Sequence, residues 1–219
     1  MAHKVSIRDL LITKLSICYD IYKNMSNKII LIGGVPCVGK SSVALELSKK
    51  LNTNQISTDT IRLLLRTISD EKKYHSLHFF VDKEAVKYLP NTSINQIIKD
   101  YIRESKSVWL GIKNVIKHNK YNKIGIVEGV AILPVLCKRS RLKNILPVFL
   151  CCSDSEIIRN NLFKRGLWGN SKKLKEYELK YLIEFNNYII KTARKYNYKV
   201  VDVYPYETLQ KRFLDAMEP

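Results

Sequence analysis

The sequence lacks a cysteine pattern typical of a secreted or zinc-binding protein. Its 219 residues contain 5 cysteines, an odd number, and no two of them form a C-x-x-C pair. Disulfide frameworks use even numbers of cysteines, and structural zinc sites use closely spaced pairs. The cysteines therefore favour a reducing compartment, and we expect a cytoplasmic protein without a zinc site.

Long uninterrupted apolar runs are also missing. The apolar residues 10–12 are flanked by Asp9 and Lys14, and no cleavage site with small residues follows. A signal peptide, a membrane span and a membrane partner are therefore not expected. Apolar residues recur at helical spacing over residues 6–24, which predicts an amphipathic helical extension within residues 1–27.

Acidic residues are scarce relative to basic ones. The chain has 20 Asp and Glu against 38 Lys and Arg, a net charge of +18. This balance suits an anionic partner such as a nucleotide, a phosphorylated metabolite or a nucleic acid. The lysines are spread along the chain, however, as on a solvated surface without a dedicated partner. Both interpretations stay open, and the composition predicts no oligomeric state.

One stretch carries the strongest functional signal. The apolar residues 29–32, which follow Lys28, are typical of a parallel strand that is covered on both faces. They are followed by the pattern G-x-x-x-x-G-K-S from Gly34 to Ser41, which is a phosphate-binding loop. We expect the phosphates of a nucleoside triphosphate to be held by Gly34, Val35, Pro36, Cys37, Val38, Gly39, Lys40, Ser41 and Ser42.

Each part of this loop has a physical task. Glycine allows the backbone to wrap a phosphate with its N–H groups, and a helix N-terminus after the loop attracts the anion. The Lys40 ammonium can reach the β- and γ-phosphates, and the Ser41 hydroxyl can ligate Mg²⁺. ATP and Mg²⁺ are therefore the expected cofactors.

An acidic residue follows the second predicted strand. Residues 55–58 form a short strand, and Asp59 and Arg62 open the helix after it. The carboxyl ends of parallel strands are where open α/β sheets bind ligands. Asp59 can accept the proton of an attacking hydroxyl, and Arg62, on the same helical face, can hold an acidic substrate group. The alternative for Asp59 is a helix N-cap.

A second acidic residue lies near the end of the third predicted strand, residues 123–130. Glu128 can hold Mg²⁺ through water or orient the acceptor substrate. The alternative is a solvated strand terminus. We include Glu128 with Asp59 and Arg62 among the substrate-binding residues.

Two further segments complete the predicted site. Residues of about 70–120 show helical periodicity without a strand pattern, which predicts a helical insertion over the acceptor. Arg165 ends a predicted helix just before Gly166, so we expect a lid at about residues 165–172. A cation in such a lid can neutralise charge that develops during phosphoryl transfer. Lys40, Asp59 and Arg165 are thus the predicted catalytic residues.

The predicted elements alternate between strands and helices. Such alternation predicts an α/β fold with three layers, in which a five-stranded parallel sheet lies between helices. Residues 28–219 are expected to form this one domain, with the insertion and the lid inside it.

The motifs resemble those of the 2-phosphoglycerate kinase family, within the small P-loop kinases that include the zeta toxins. The resemblance rests on residues 32–42, on Ser57-Thr58-Asp59-Thr60-Ile61-Arg62 and on Ile126-Val127-Glu128-Gly129-Val130. It implies ATP-dependent phosphorylation of a hydroxyl on a small acidic metabolite, with Asp59 and Arg62 facing the acceptor. Family members tend to have a histidine where this chain has Ala131, which leaves the acceptor open.

Three functional hypotheses follow. The first is a small-molecule kinase that acts on a metabolite similar to 2-phosphoglycerate. The second is a polynucleotide 5′-kinase, which the positive charge favours and which would need a basic channel with stacking aromatic residues. The third is a regulatory module that binds nucleotide without transfer, although two acidic residues at strand ends are not needed for that task.

Overall fold

The computed structural model describes residues 28–81, 83–119, 124–165 and 171–217. The predicted extension over residues 1–27 and the central part of the predicted lid, residues 166–170, lie outside the described residues. The strands are β1 Ile29–Gly33, β2 Asn54–Ser57, β3 Ile124–Glu128, β4 Ile145–Cys151 and β5 Lys199–Asp202. The helices are α1 Lys40–Lys50, α2 Thr58–Ile68, α3 His75–His78, α4 Ala85–Asn91, α5 Ile94–Lys117, α6 Pro134–Ser140, α7 Ser155–Arg165, α8 Lys172–Lys195 and α9 Tyr206–Met217.

The five strands form one parallel sheet in the order β2-β3-β1-β4-β5. β1 lies at its centre and is buried along its whole length, which explains its continuous apolar sequence. β2 lies at one edge and is partly exposed, which fits its more polar sequence. The prediction of a five-stranded parallel sheet in an α/β fold is therefore confirmed.

Helices cover both faces of the sheet. From β1 to β2 the chain moves toward one edge of the sheet, and from β2 onward it moves toward the other edge. Because crossovers between parallel strands are right-handed, α1 lies on one face of the sheet and the later connecting helices lie on the other. The side chain of Gln210 on α9 donates to Glu46 on α1 at 3.0 Å, which places α9 on the α1 face. The long helices α5 and α8 contact each other on the other face.

The helices α3, α4 and α5 occupy the region where the insertion was predicted. Ser93 caps α5 by accepting a hydrogen bond from the Gln96 N–H. Within the described ranges, no helix is both long enough and apolar enough to cross a membrane.

The carboxyl ends of β2, β3 and β1 lie side by side. In the strand register Ser57 pairs with Glu128, and Glu128 pairs with Ile32. Directly after β3, the Gly129 N–H donates to the Ile32 carbonyl at 3.0 Å, with a positive φ of 144°. The observed strand therefore ends at Glu128, short of the predicted residue 130. This turn brings Glu128 next to the phosphate loop.

The turn at Gly129 yields a stability prediction. A Cβ at this position would overlap the Thr58 hydroxyl, and its φ is one that only glycine adopts readily. Gly39 also has a positive φ, of 77°, but a Cβ there meets no atom within 4 Å. We expect Gly129→Ala to lower the free energy of unfolding by about 3 kcal/mol and Gly39→Ala by about 1 kcal/mol. Urea denaturation of the two variants measures the difference, and equal losses would contradict the role of the overlap.

Candidate functional site

The predicted phosphate loop connects β1 to α1. Lys40, the first residue of α1, is 7% exposed, and its ammonium donates to the Val35 carbonyl at 2.8 Å. Its positive charge therefore lies inside the loop and faces the loop backbone. A lysine in this position can contact phosphates that the loop encloses.

The N-terminus of α1 is open toward the loop. Its N-cap residue is Gly39, in a left-handed conformation, so no side chain caps the first N–H groups of the helix. These N–H groups and the helix dipole favour an anion at this end. The loop is also held from outside, because the Asn161 amide of α7 donates to the Cys37 carbonyl at 2.9 Å. This contact of Asn161 was not predicted.

Ser41 and Glu128 meet next to Lys40. The Ser41 hydroxyl donates to Oε1 of Glu128 at 3.1 Å, although 87 residues separate them in the sequence. Glu128 is only 7% exposed, so it is not the solvated strand terminus considered as an alternative. Burial raises the pKa of Glu128, and the Lys40 ammonium and the Ser41 hydrogen bond oppose this effect.

The other predicted charged residues change the pKa of Lys40. Burial lowers the pKa of Lys40 to about 8, while the carboxylates of Glu128 and Asp59 raise it and the Arg165 guanidinium lowers it further. Arg165 ends α7 and is exposed, and its charge acts on Cys37 as well as on Lys40 in the loop. The structure thus brings Lys40, Glu128, Asp59 and Arg165 to one end of the sheet.

Asp59 is not the N-cap of α2. Ser57 has that position, and its hydroxyl accepts a hydrogen bond from the Thr60 N–H at 3.0 Å. The Asp59 carboxylate instead accepts from Nη1 of Arg62 at 2.5 Å, and its side chain is 69% exposed. Asp59 therefore keeps an accessible carboxylate at the carboxyl end of β2, and its capping alternative is excluded.

A buried carboxylate that was not predicted lies behind this ion pair. Glu104 on α5 accepts from Nη2 of Arg66 at 2.6 Å, and the same oxygen lies 3.3 Å from Nε of Arg62. Burial raises the pKa of Glu104, and the two arginines oppose the rise. A signal was present, because Glu104 lies between Tyr101 and Val108 on the buried stripe of an amphipathic helix, where an unpaired charge is costly.

The chain is similar to several archaeal proteins named 2-phosphoglycerate kinase. It is 27% identical to that of Methanopyrus kandleri over 197 residues, which cover 84% of this chain and 60% of the relative. It is 30% identical to that of Methanocaldococcus jannaschii over 181 residues, which cover 80% of this chain and 58% of the relative. These similarities confirm the resemblance that the motifs indicated.

A relative with another name shares part of the chain. A mevalonate-3-phosphate 5-kinase of Thermoplasma acidophilum is 26% identical over 143 residues, which cover 64% of this chain and 69% of the relative. No protein-family model matches the chain. The chain spans about three fifths of the length of the two 2-phosphoglycerate kinases.

The low pKa of Lys40 yields a prediction for nucleotide binding. A triphosphate would bind the ammonium form of Lys40, and in the ligand-free protein this form is lost as the pH rises through about 8. We expect the affinity for a non-hydrolysable ATP analogue to be constant below pH 8 and to fall above it, by at most about tenfold per pH unit. Isothermal titration calorimetry between pH 6.5 and 10, at constant ionic strength, measures this profile.

Lys40→Met is the control for this measurement. The variant has no ammonium to lose, so its affinity should be low at every pH and should not change above pH 8. A wild-type affinity that stays constant up to pH 10 would contradict the assignment of the buried Lys40 to phosphate binding.

Proposed function

We propose that this protein is a kinase that transfers the γ-phosphoryl group of ATP, with Mg²⁺, to a hydroxyl of a small acidic metabolite similar to 2-phosphoglycerate. One observation carries the proposal. A phosphate loop with a buried lysine, a Ser41–Glu128 pair and an accessible Asp59 carboxylate lie at the same end of the sheet. A protein that only binds nucleotide needs the loop but not the carboxylate beside it.

The donor atoms near the loop fit Mg²⁺. The Ser41 hydroxyl and the Glu128 carboxylate are oxygen donors 3.1 Å apart, and Mg²⁺ prefers oxygen ligands, with water and substrate phosphates completing its shell. Ser41 would hold the ion directly and Glu128 through water. When bound, Mg²⁺ would neutralise part of the negative charge of the phosphates.

The remaining groups would carry the transfer. Lys40 and the N–H groups at the start of α1 would bind the phosphates, and Arg165 would neutralise charge from the lid side. Asp59 would accept the proton of the acceptor hydroxyl while the hydroxyl oxygen bonds to the γ-phosphorus. The bond from that phosphorus to the β–γ bridging oxygen breaks, and ADP leaves.

The acceptor would be recognised through its negative charge. Arg62 lies beside Asp59 and can bind a phosphate or carboxylate with its planar guanidinium. The names of the relatives describe kinases of 2-phosphoglycerate and of mevalonate-3-phosphate, which are small metabolites that carry both groups. This chemistry favours a metabolite of the same class over a polynucleotide.

A transfer assay tests the function. The purified protein is incubated with ATP and Mg²⁺ and with 2-phosphoglycerate, 3-phosphoglycerate, glycerate, gluconate or a 5′-hydroxyl oligonucleotide, and ADP and phosphorylated product are measured. We expect transfer to at least one small phosphorylated acid. Transfer to the oligonucleotide alone would favour a polynucleotide kinase, and ATP binding without transfer to any acceptor would favour a regulatory module.

Asp59→Asn tests the proposed base. The amide keeps the shape of the side chain but cannot take the proton, so kcat should fall by about 100-fold or more. The KM for ATP should stay within about twofold, because the phosphate loop is unchanged. Asp215→Asn, which alters an exposed carboxylate on α9, should retain wild-type kcat. Retained turnover in Asp59→Asn would remove Asp59 from the proposed mechanism.

A further inference from the structure

The proposed mechanism leaves the buried Glu104 without a task. Its side chain is 3% exposed, and it reaches from α5 to two arginines of α2. Arg66 is also held by the Leu77 carbonyl, to which its Nε donates at 2.9 Å, so it joins α2 to α3 and α5. Arg62, in contrast, lies between the buried Glu104 and the accessible Asp59.

The two carboxylates hold Arg62 in different ways, because Asp59 accepts a hydrogen bond from Nη1, whereas Glu104 attracts the buried Nε at 3.3 Å without a hydrogen bond. The Asp59 side chain is 69% exposed, and an ion pair with such a group is weakened by water and salt. Separation of Arg62 from Glu104 would instead leave a buried charge with one partner fewer, which is far more costly. An anion that competes for Arg62 should therefore displace Asp59 and leave Glu104 in place.

We propose that Glu104 is a positioning residue, which fixes Arg62 so that an anionic group of the acceptor takes the place of Asp59. The exchange frees the Asp59 carboxylate, which then accepts the proton of the acceptor hydroxyl as the oxygen bonds to the γ-phosphorus and ADP leaves. In the ligand-free protein, the proposed base Asp59 is paired with Arg62. This inference rests on the proposed kinase function and adds how the acceptor is selected.

The exchange explains a requirement for charge in the acceptor. A neutral alcohol has no group that competes with Asp59 for Arg62, so the base stays paired when the alcohol enters. An acceptor with a phosphate or carboxylate near its hydroxyl fulfils both tasks. Selection would then act on the rate of transfer as well as on binding, because the anion is needed to release the base.

The first test replaces Glu104 with glutamine. Glu104→Gln keeps the volume of the side chain but removes its charge, so Arg62 should pair more strongly with Asp59. With 2-phosphoglycerate as acceptor, we expect kcat/KM to fall about tenfold or more, while the KM for ATP stays within about twofold. The fall should appear mainly in the KM for 2-phosphoglycerate and less in kcat, because a high concentration of the anion can still displace Asp59 from Arg62.

Asp100→Asn is the matched control. Asp100 lies one turn before Glu104 on α5 and has the same side-chain exposure of 3%, but it bonds to Tyr88, Gln96 and Arg103 instead of Arg62. A purely structural effect of removing a buried charge from α5 should appear in both variants. Only Glu104→Gln should raise the KM for 2-phosphoglycerate, and an equal rise in Asp100→Asn, or none in Glu104→Gln, would overturn the proposal.

A second test uses the wild-type protein and so does not depend on the folding of a variant. With ATP at saturation and the neutral acceptor glycerol, added phosphite supplies the missing anion as a separate molecule. We expect phosphite to raise the formation of glycerol phosphate about tenfold or more. A rate that is unchanged or falls would overturn the exchange. If the wild-type protein phosphorylates 2-phosphoglycerate but fails this test, only the inference is overturned. If it is inactive with every acceptor, the proposed function itself is overturned.

Discussion

The buried positive charge of Lys40, beside the carboxyl end of the central strand β1, is the constraint on which the site depends. The Lys40 ammonium is almost excluded from water, and such a charge must have polar or anionic partners. The Val35 carbonyl supplies one hydrogen bond, and Glu128 and Asp59 supply negative charge. Three separate segments must therefore meet at the same end of the sheet, and the order β2-β3-β1 brings them there.

The charged groups around this centre have different freedom to move. Glu128 and Glu104 are buried and held by neighbours, whereas Asp59 and Arg165 are exposed. The buried carboxylates can keep their partners in place, and the exposed groups can change partner at small cost. A transfer reaction needs both kinds of group, because phosphates must be positioned while an acceptor enters and a product leaves.

Local chemistry explains which features could be predicted. The residue pattern at positions 34–41, the apolar run before it and the acidic residue after β2 each depend only on residues that are close together in the chain. The phosphate loop and the position of Asp59 could therefore be predicted from the sequence. Glu104 was missed because its partners, Arg62 and Arg66, lie 42 and 38 residues away. Whether Ser57 or Asp59 caps α2 could be decided only from the structure, because both residue types are favourable N-caps.

By itself, the sequence determined the α/β class, the parallel strands and the phosphate loop, because strand burial and loop conformation depend on residue types at short spacing. Only the tertiary structure decided the strand order, the Ser41–Glu128 contact and the pairing of Arg62 with both Asp59 and Glu104. These contacts join segments that are distant in the chain, and their energies arise only when burial removes the charges from water. The apolar stripe of α5 indicates that Glu104 is buried, but no local pattern indicates which arginines it meets.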